Sequence, residues 1–197
     1  MRLTFGWGIN DVPLTHSTPE LKVYYNDWKE MLRRCYSNEW QVRFPSCIGN
    51  TVCEEWKYFS NFIKWVDSQP NRNWKNQELD KDVLILGNKI YSPEHCVYVP
   101  HFINKFMTNH TRSRGGYMLG VTKCRTSKIN PFASECQDPF NRVNAYIGLF
   151  ATELEAHKAW QAKKHEYACQ LADLQEDPRV ADALRQHYMP NKDWTKR

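Results

Sequence analysis

The sequence predicts an α+β protein with three parts: N-terminal helices, a short ββα segment, and a small three-stranded antiparallel sheet packed on one helix. Three observations lead to this prediction. Apolar residues recur three or four positions apart from Leu21 to Cys35, which is the spacing of an amphipathic helix. Two β-rich runs lie on either side of a Gly87-Asn88 turn. Three more β-rich runs precede Thr152, where another helical pattern begins.

The N-terminal part is predicted to be helical over residues 19–69. Thr18 and Pro19 are typical of a helix start, with threonine as the N-cap and proline in the first turn. The apolar stripe that follows is long enough for about four turns. A loop around Pro45 then leads to a second helix, whose apolar stripe runs from Trp56 to Val66.

The ββα pattern occupies residues 74–107. Strand signals cover Leu79–Leu84 and His95–Val99, and a helical segment that contains Asn104 follows. This order predicts a carboxylate, Asp80, on the first strand and an amide on the helix. Oxygen ligands of this kind can hold one divalent cation against a phosphate.

These residues resemble the ββα-metal core of HNH nucleases, in the divergent form found in bacteriophage homing endonucleases. The helices before them are similar to the segment that precedes this core in phage HNH proteins. The resemblance implies that Asp80 and Asn104 bind Mg²⁺ or Mn²⁺ and that Asn88 orients the general base. Without the resemblance, Asp80 is a solvated acid at a strand end and Asn104 caps a turn.

The base position departs from the family pattern, because Lys81 stands where a catalytic histidine is expected. A lysine is protonated at neutral pH unless it is buried, so it cannot accept a proton from water without a large lowering of its pKa. It can still bind phosphate as a point charge. His95 and His101 are the other candidates for a catalytic imidazole.

Residues 108–116 form a polar, basic connector, which is typical of a linker or of a segment that becomes ordered on nucleic acid. The third part, residues 116–172, has three strand signals followed by a helix. Thr152 and Glu155 have the spacing of a reciprocal capping box at the start of that helix. The tail, residues 173–197, contains a short helical pattern that is expected to dock on the body or on a protein partner.

The third part resembles the ethylene-response-factor (APETALA-type) DNA-binding domain. The matching residues are Leu119-Gly120-Val121, Phe132-Ala133, Ile147–Phe150 and Thr152–Trp160. The resemblance implies that the sheet enters the major groove of double-stranded DNA. The Arg33-Arg34 pair on the first helix is a further candidate for phosphate contacts, and a solvated face explains it equally well. The candidate DNA-binding residues are Arg33, Arg34, Arg112, Arg114, Tyr117, Lys123, Arg125, Lys128 and Arg142.

Composition limits the class of protein. The chain has 197 residues and a net charge of +5, with 27 basic and 22 acidic side chains, which suits an anionic partner. No apolar run is long enough to cross a membrane, and the N-terminus lacks a secretion signal, so a cytoplasmic protein is expected. The seven cysteines include no CxxC pair, so we expect reduced thiols and consider structural zinc unlikely.

Together these features predict a DNA-binding protein that hydrolyses phosphodiesters with a bound metal ion, in the host cytoplasm if the chain is of phage origin. The alternative is an HNH-derived protein that kept DNA binding and lost catalysis, acting as a repressor or as an inhibitor of another DNA-processing system. Lys81 favours the alternative, whereas the set of Asp80, Asn88 and Asn104 favours the enzyme. A protein-interaction module is a third possibility.

Overall fold

The computed structural model describes residues 3–12, 18–70, 73–108 and 116–192. The fold is α+β, as predicted, and the chain divides into two compact units, residues 1–100 and 101–197. Most of the predicted connector, including Arg112 and Arg114, lies outside the described residues. Among the described helices, none has the length and apolar character that a bilayer crossing requires.

The described residues of the first unit form three α-helices, four short strands and short 3-10 turns. The helices are α1 (Pro19–Tyr36), α2 (Asn38–Arg43) and α3 (Phe59–Asp67). The strands are β1 (Thr51–Val52), β2 (Glu78–Asp80), β3 (Ile90–Tyr91) and β4 (Val97–Val99). Strand β1 pairs with β3 in parallel, and β2 pairs with β4 in antiparallel register.

Helix α1 begins where the sequence predicts it. The Thr18 hydroxyl accepts a hydrogen bond from the backbone N–H of Leu21 at 3.1 Å, which satisfies one of the free donors of the first turn. The apolar stripe of α1 lies in an aromatic core. Trp28 is completely buried, and its indole N–H donates to the carbonyl of Trp56 at 2.7 Å. Burying side chains of this size contributes about 1.5–3 kcal/mol each to stability.

Two differences from the prediction concern the first unit. The segment around Pro45, predicted to be a loop, is preceded by helix α2, whose N-cap Ser37 accepts from the N–H of Trp40 at 3.3 Å. No residue of α2 is fully buried, and its sequence therefore lacks the apolar stripe from which a helix is predicted. The second predicted helix begins at Phe59 rather than Trp56, because residues 54–57 form a 3-10 turn.

In the second unit, the residues that the structure describes form a three-stranded antiparallel sheet and three α-helices. The strands are β5 (Val121–Lys123), β6 (Phe132–Gln137) and β7 (Asn144–Phe150), in that order, with a bulge at Ser134 and Glu135. The helices are α4 (His101–Met107), α5 (Glu153–Ala172) and α6 (Pro178–His187). The prediction of a small antiparallel sheet followed by a long helix is confirmed.

Helix α5 starts with the predicted capping box. The Thr152 hydroxyl accepts from the N–H of Glu155 at 3.2 Å, and the Glu155 carboxylate accepts from the N–H of Thr152 at 3.1 Å. The helix approaches the sheet closely at Gly120. This glycine has φ +74°, and a Cβ built on it would lie 2.0 Å from the ring of Trp160. The left-handed glycine lies directly before strand β5, which begins at Val121.

The tail helix α6 packs within the second unit. Val180, Leu184 and Tyr188 are buried, as a docked amphipathic helix requires. The Gln161 side chain of α5 holds the residues that follow α6 by donating to the carbonyls of Met189 and Lys192 at 2.8 and 3.0 Å. Of the two predicted outcomes, docking on the body is the one observed, and a protein partner bound through this tail stays a prediction.

Candidate functional site

The loop after β2 is organised by the Asp80 carboxylate. Its Oδ1 accepts hydrogen bonds from the N–H groups of Asp82 and Val83 at 2.7 and 2.8 Å. The chain therefore turns at Asp80, and strand β2 ends there. The sequence predicts a longer strand that continues to Leu84. Burial raises the pKa of the Asp80 carboxyl, against the opposing effect of its two backbone donors.

Lys81, at the predicted base position, is buried and tied to the protein. Its side chain is 8% exposed, and its ammonium group lies 2.7 Å from the Asp82 carboxylate. The same ammonium group donates to the Asn88 carbonyl at 2.6 Å. A side chain that donates these two hydrogen bonds holds the loop together.

Asn88 closes the loop from the other side. Its amide nitrogen donates to the carbonyls of Lys81 and Ile90 at 2.9 and 2.8 Å, and its Oδ1 accepts from the N–H of Ile90 at 3.0 Å. The turn before it is the predicted one, with Gly87 at φ +74°. Asp80, Lys81 and Asn88 thus form one bonded loop, which we call the 80–88 loop.

The other predicted catalytic and metal-binding residues are not part of this loop. His95 is half-buried, and its Nδ1 lies 2.9 Å from the Ser92 hydroxyl, at the turn that delays the start of β4 to Val97. His101 and Asn104 lie on α4, which belongs to the second unit, whereas Asp80 belongs to the first. The predicted ββα core is therefore divided between the two units.

The described residues do not assemble a set of metal ligands. In the parts of the chain that the structure describes, no group of three or more histidine, cysteine, aspartate or glutamate side chains has a geometry that could hold a metal ion. Asp80 already uses one carboxylate oxygen for two backbone donors. The His, Cys, Asp and Glu side chains of the described residues therefore provide no ready-made cluster of metal ligands around Asp80.

The predicted DNA-binding residues of the second unit lie on its surface. Lys123, Arg125 and Lys128 are exposed on β5 and on the loop that joins it to β6, and we call this segment, residues 121–132, the β5–β6 hairpin. Arg142 is exposed in the turn between β6 and β7, with a left-handed φ of +60°. Tyr117 is half-buried because its ring packs edge-on against Phe132, with 6.1 Å between ring centroids.

The stretch of sequence that contains the hairpin has basic side chains but no acidic ones. No aspartate or glutamate occurs between Glu94 and Glu135, although Lys105, Arg112 and Arg114 join the three hairpin cations within that interval. Of the cations in this acid-free interval, Lys123, Arg125 and Lys128 are exposed. The second unit also has a cavity of about 410 Å³ between α4 and the β6–β7 turn, with His101, Lys105 and Arg142 in its lining.

Of the Arg33-Arg34 pair, a candidate for phosphate contacts, Arg33 is partly buried and Arg34 is exposed. The Arg33 guanidinium forms an ion pair with Glu30 and lies 3.7 Å from the centroid of the Trp40 ring, so it packs α2 against α1. The Arg34 guanidinium donates to the Tyr91 hydroxyl and lines a second cavity, of about 300 Å³, in the first unit. Asn50, Asp82 and Trp40 also line this cavity, and none of them is among the predicted site residues.

Comparison with known proteins returned no match: no family model, no curated protein and no solved structure is similar to this chain at a significant level.

Proposed function

We propose that this chain binds double-stranded DNA through the β5–β6 hairpin. One observation carries the proposal: Lys123, Arg125 and Lys128 are all exposed on one hairpin, inside a stretch that contains no acid. Cations placed in this way neutralise backbone phosphates and release counterions, which supplies most of the affinity of non-specific DNA binding. A two-stranded ribbon also fits the major groove, which is about 12 Å wide.

The 80–88 loop supports a nuclease-derived protein that has lost catalysis. Asn88 bonds the backbone of Lys81, which is the role that the HNH resemblance implies for the loop asparagine. The residue it positions is a lysine whose side chain is bound by Asp82 and Asn88, and the loop contains no histidine that could act as the base. Such a protein can occupy a DNA site without cutting it, as a repressor or as an inhibitor of another DNA-processing system.

Metal-dependent hydrolysis of DNA is the second candidate. The observation that favours it is the buried Asp80 carboxylate, whose pKa is raised by burial and whose charge a cation would stabilise. Incubating plasmid DNA with the protein in Mg²⁺ or Mn²⁺, beside an Asp80→Ala variant, tests this candidate. Nicking by the wild type alone supports hydrolysis, whereas binding without nicking in either metal supports the catalytically inactive protein.

A mobility-shift assay at low salt tests the proposed DNA binding. Arg125→Gln removes one hairpin charge and is expected to weaken binding to duplex DNA, because each phosphate contact contributes to affinity independently of sequence. Lys158→Gln, which changes an exposed lysine on α5, is the matched control and is expected to bind like the wild type. Wild-type protein that binds no duplex at low salt would exclude the proposal.

A further inference from the structure

The cavity of about 410 Å³ in the second unit lies between α4 and the turn that joins β6 to β7, and we call it the α4 cavity. Most of the side chains that line it are exposed, among them Lys105 and Arg142. A ligand from solution can therefore reach them. The volume lies in the lower part of the range for small-molecule sites, so the cavity suits a ligand with one ring and a small polar group.

Basic side chains line the α4 cavity on both of its walls. Helix α4 contributes His101 and Lys105, which are four residues apart and therefore lie on one face of the helix. The other wall contributes Arg142, from the turn between β6 and β7. Within the described parts of the chain, no ion pair or side-chain hydrogen bond engages the charged groups of Lys105 and Arg142. Two cations therefore line the cavity with their hydrogen-bond donors available to a ligand.

Asp138 is the only acid among the described residues that line the α4 cavity, and its carboxylate is engaged by its own turn. Oδ1 accepts from the N–H groups of Phe140 and Asn141 at 2.8 and 3.2 Å, and Oδ2 accepts from the side-chain amide of Asn141 at 3.0 Å. These donors, above all the N–H of Phe140, hold the pKa of Asp138 below its usual range. The carboxylate is therefore satisfied without the two cations, which outnumber it in the lining.

Apolar side chains provide a second kind of surface in the cavity. Phe102 is 43% exposed, so part of its ring is open to a ligand. Phe106 is buried and held in place, with the Lys164 ammonium group 3.5 Å from its ring centroid and the Tyr188 ring edge-on at 5.7 Å. A ligand ring that covers Phe102 removes apolar surface from water, which favours binding.

We infer that the α4 cavity binds a small phosphate monoester that carries an apolar ring, with Lys105 and Arg142 contacting the phosphate and Phe102 contacting the ring. A phosphate monoester has a charge of about −1.5 to −2 at neutral pH and three acceptor oxygens, so it can accept hydrogen bonds from both walls at once. A carboxylate has one charge and only two oxygens. Arginine binds phosphate through two parallel N–H bonds, and lysine binds it as a point charge.

Two sources supply this chemistry. One is a free organic phosphate, and the other is the terminal 5′-phosphate of a DNA strand beside its last base. The inference goes beyond the proposed DNA binding, because the α4 cavity is formed by residues outside the β5–β6 hairpin.

Calorimetry with the full chain and phenyl phosphate as the probe tests the inference. Phenyl phosphate is expected to bind about tenfold more tightly than inorganic phosphate, which lacks the ring, and than phenol, which lacks the phosphate. Benzoate, which has the ring and a carboxylate, is expected to bind more weakly than phenyl phosphate. The absence of saturable binding of phenyl phosphate, or equal binding of phenyl phosphate and any of the other three compounds, would overturn the inference.

Substitutions in the lining locate the site. Arg142→Gln and Lys105→Gln are each expected to weaken binding of phenyl phosphate about tenfold, because each removes a charged hydrogen-bond donor. Phe102→Ser is expected to reduce the preference for phenyl phosphate over inorganic phosphate. Lys158→Gln changes an exposed lysine of α5 outside the cavity and is the matched control, which is expected to bind like the wild type. Wild-type affinity in both folded cation variants would place the ligand elsewhere and overturn the inference.

Two duplexes that differ only in a 5′-terminal phosphate separate the two sources and keep the proposals distinct. Tighter binding of the phosphorylated duplex, lost in Arg142→Gln, supports a DNA end as the ligand. Equal binding of the two duplexes together with binding of phenyl phosphate supports a free organic phosphate. Duplex binding without binding of phenyl phosphate overturns the phosphate site alone. Binding of phenyl phosphate without any duplex binding supports the site and overturns only the proposed DNA binding.

Discussion

Substitution of Gly120 by alanine tests how the second unit presents its hairpin. Gly120 precedes β5 directly, has φ +74°, and lies against Trp160, so an added Cβ would come within 2.0 Å of two ring atoms of the indole. The left-handed conformation costs alanine about 1–2 kcal/mol. Displacing a packed side chain costs about 1–3 kcal/mol more. The expected loss is therefore about 2–5 kcal/mol, which is a large fraction of the stability of a typical domain.

The assay is urea unfolding, followed for each variant by the NMR amide signals of the unit that carries the substitution. Alanine substitutions at two other glycines separate the backbone cost from the cost of displacing Trp160. Gly87→Ala has the same φ of +74° but no atom within 4 Å, so only the backbone cost of about 1–2 kcal/mol is expected. Gly148→Ala lies in the same sheet and meets its nearest neighbour at 3.5 Å, an ordinary contact, so little loss is expected. If Gly120→Ala loses no more stability than Gly87→Ala, the close packing of Trp160 on Gly120 is refuted.

Three further predictions concern buried charges. Burial lowers the pKa of His187 to about 4, with Lys192 and Lys164 nearby adding to the effect, so the unfolded chain binds a proton first as the pH falls. Stability should therefore drop between pH 6.5 and 4, and a His187→Gln variant whose melting temperature falls just as steeply would contradict this. Asp177→Ala removes the N-cap of α6 and is expected to lower the free energy of unfolding by about 1–2 kcal/mol, whereas an equal loss from the exposed Asp182→Ala would count against a capping role. Lys81→Met leaves the partly exposed Asp82 without its ion pair and should cost about 1–3 kcal/mol in urea unfolding; an unchanged midpoint would show that the pair does not hold the loop.

The elements that the sequence predicts well are those with local signals. Thr18 and Thr152 are N-caps whose partners lie three residues further along the chain, so the starts of α1 and α5 are encoded within one turn. The end of β2 is different, because Asp80 stops the strand through side-chain bonds to the backbone that apolar alternation does not reveal. A Ser37-Asn38-Glu39 start signal is present for α2, but no buried stripe follows it.

The candidate site depends on contacts between distant segments, which sequence patterns do not report. The position of Arg33 in the helical repeat of α1 predicts an exposed side chain. Its contact with Trp40 arises only because α2 packs against α1 in the fold. Asn50 and Asp82 line one cavity although they are far apart in the sequence, and neither belongs to a motif. The hairpin cations were predictable, because their positions between two strand signals place them on an exposed connection.

The salt dependence of DNA binding tests the central claim most directly. The measurement compares the wild type with a triple variant, Lys123→Gln, Arg125→Gln and Lys128→Gln, on one duplex over a series of salt concentrations. Each lost phosphate contact lowers the slope of log K against log salt by about 0.9, so the triple variant should bind more weakly with a slope reduced by about 2–3. A triple variant with the slope and affinity of the wild type would show that the β5–β6 hairpin does not contact DNA.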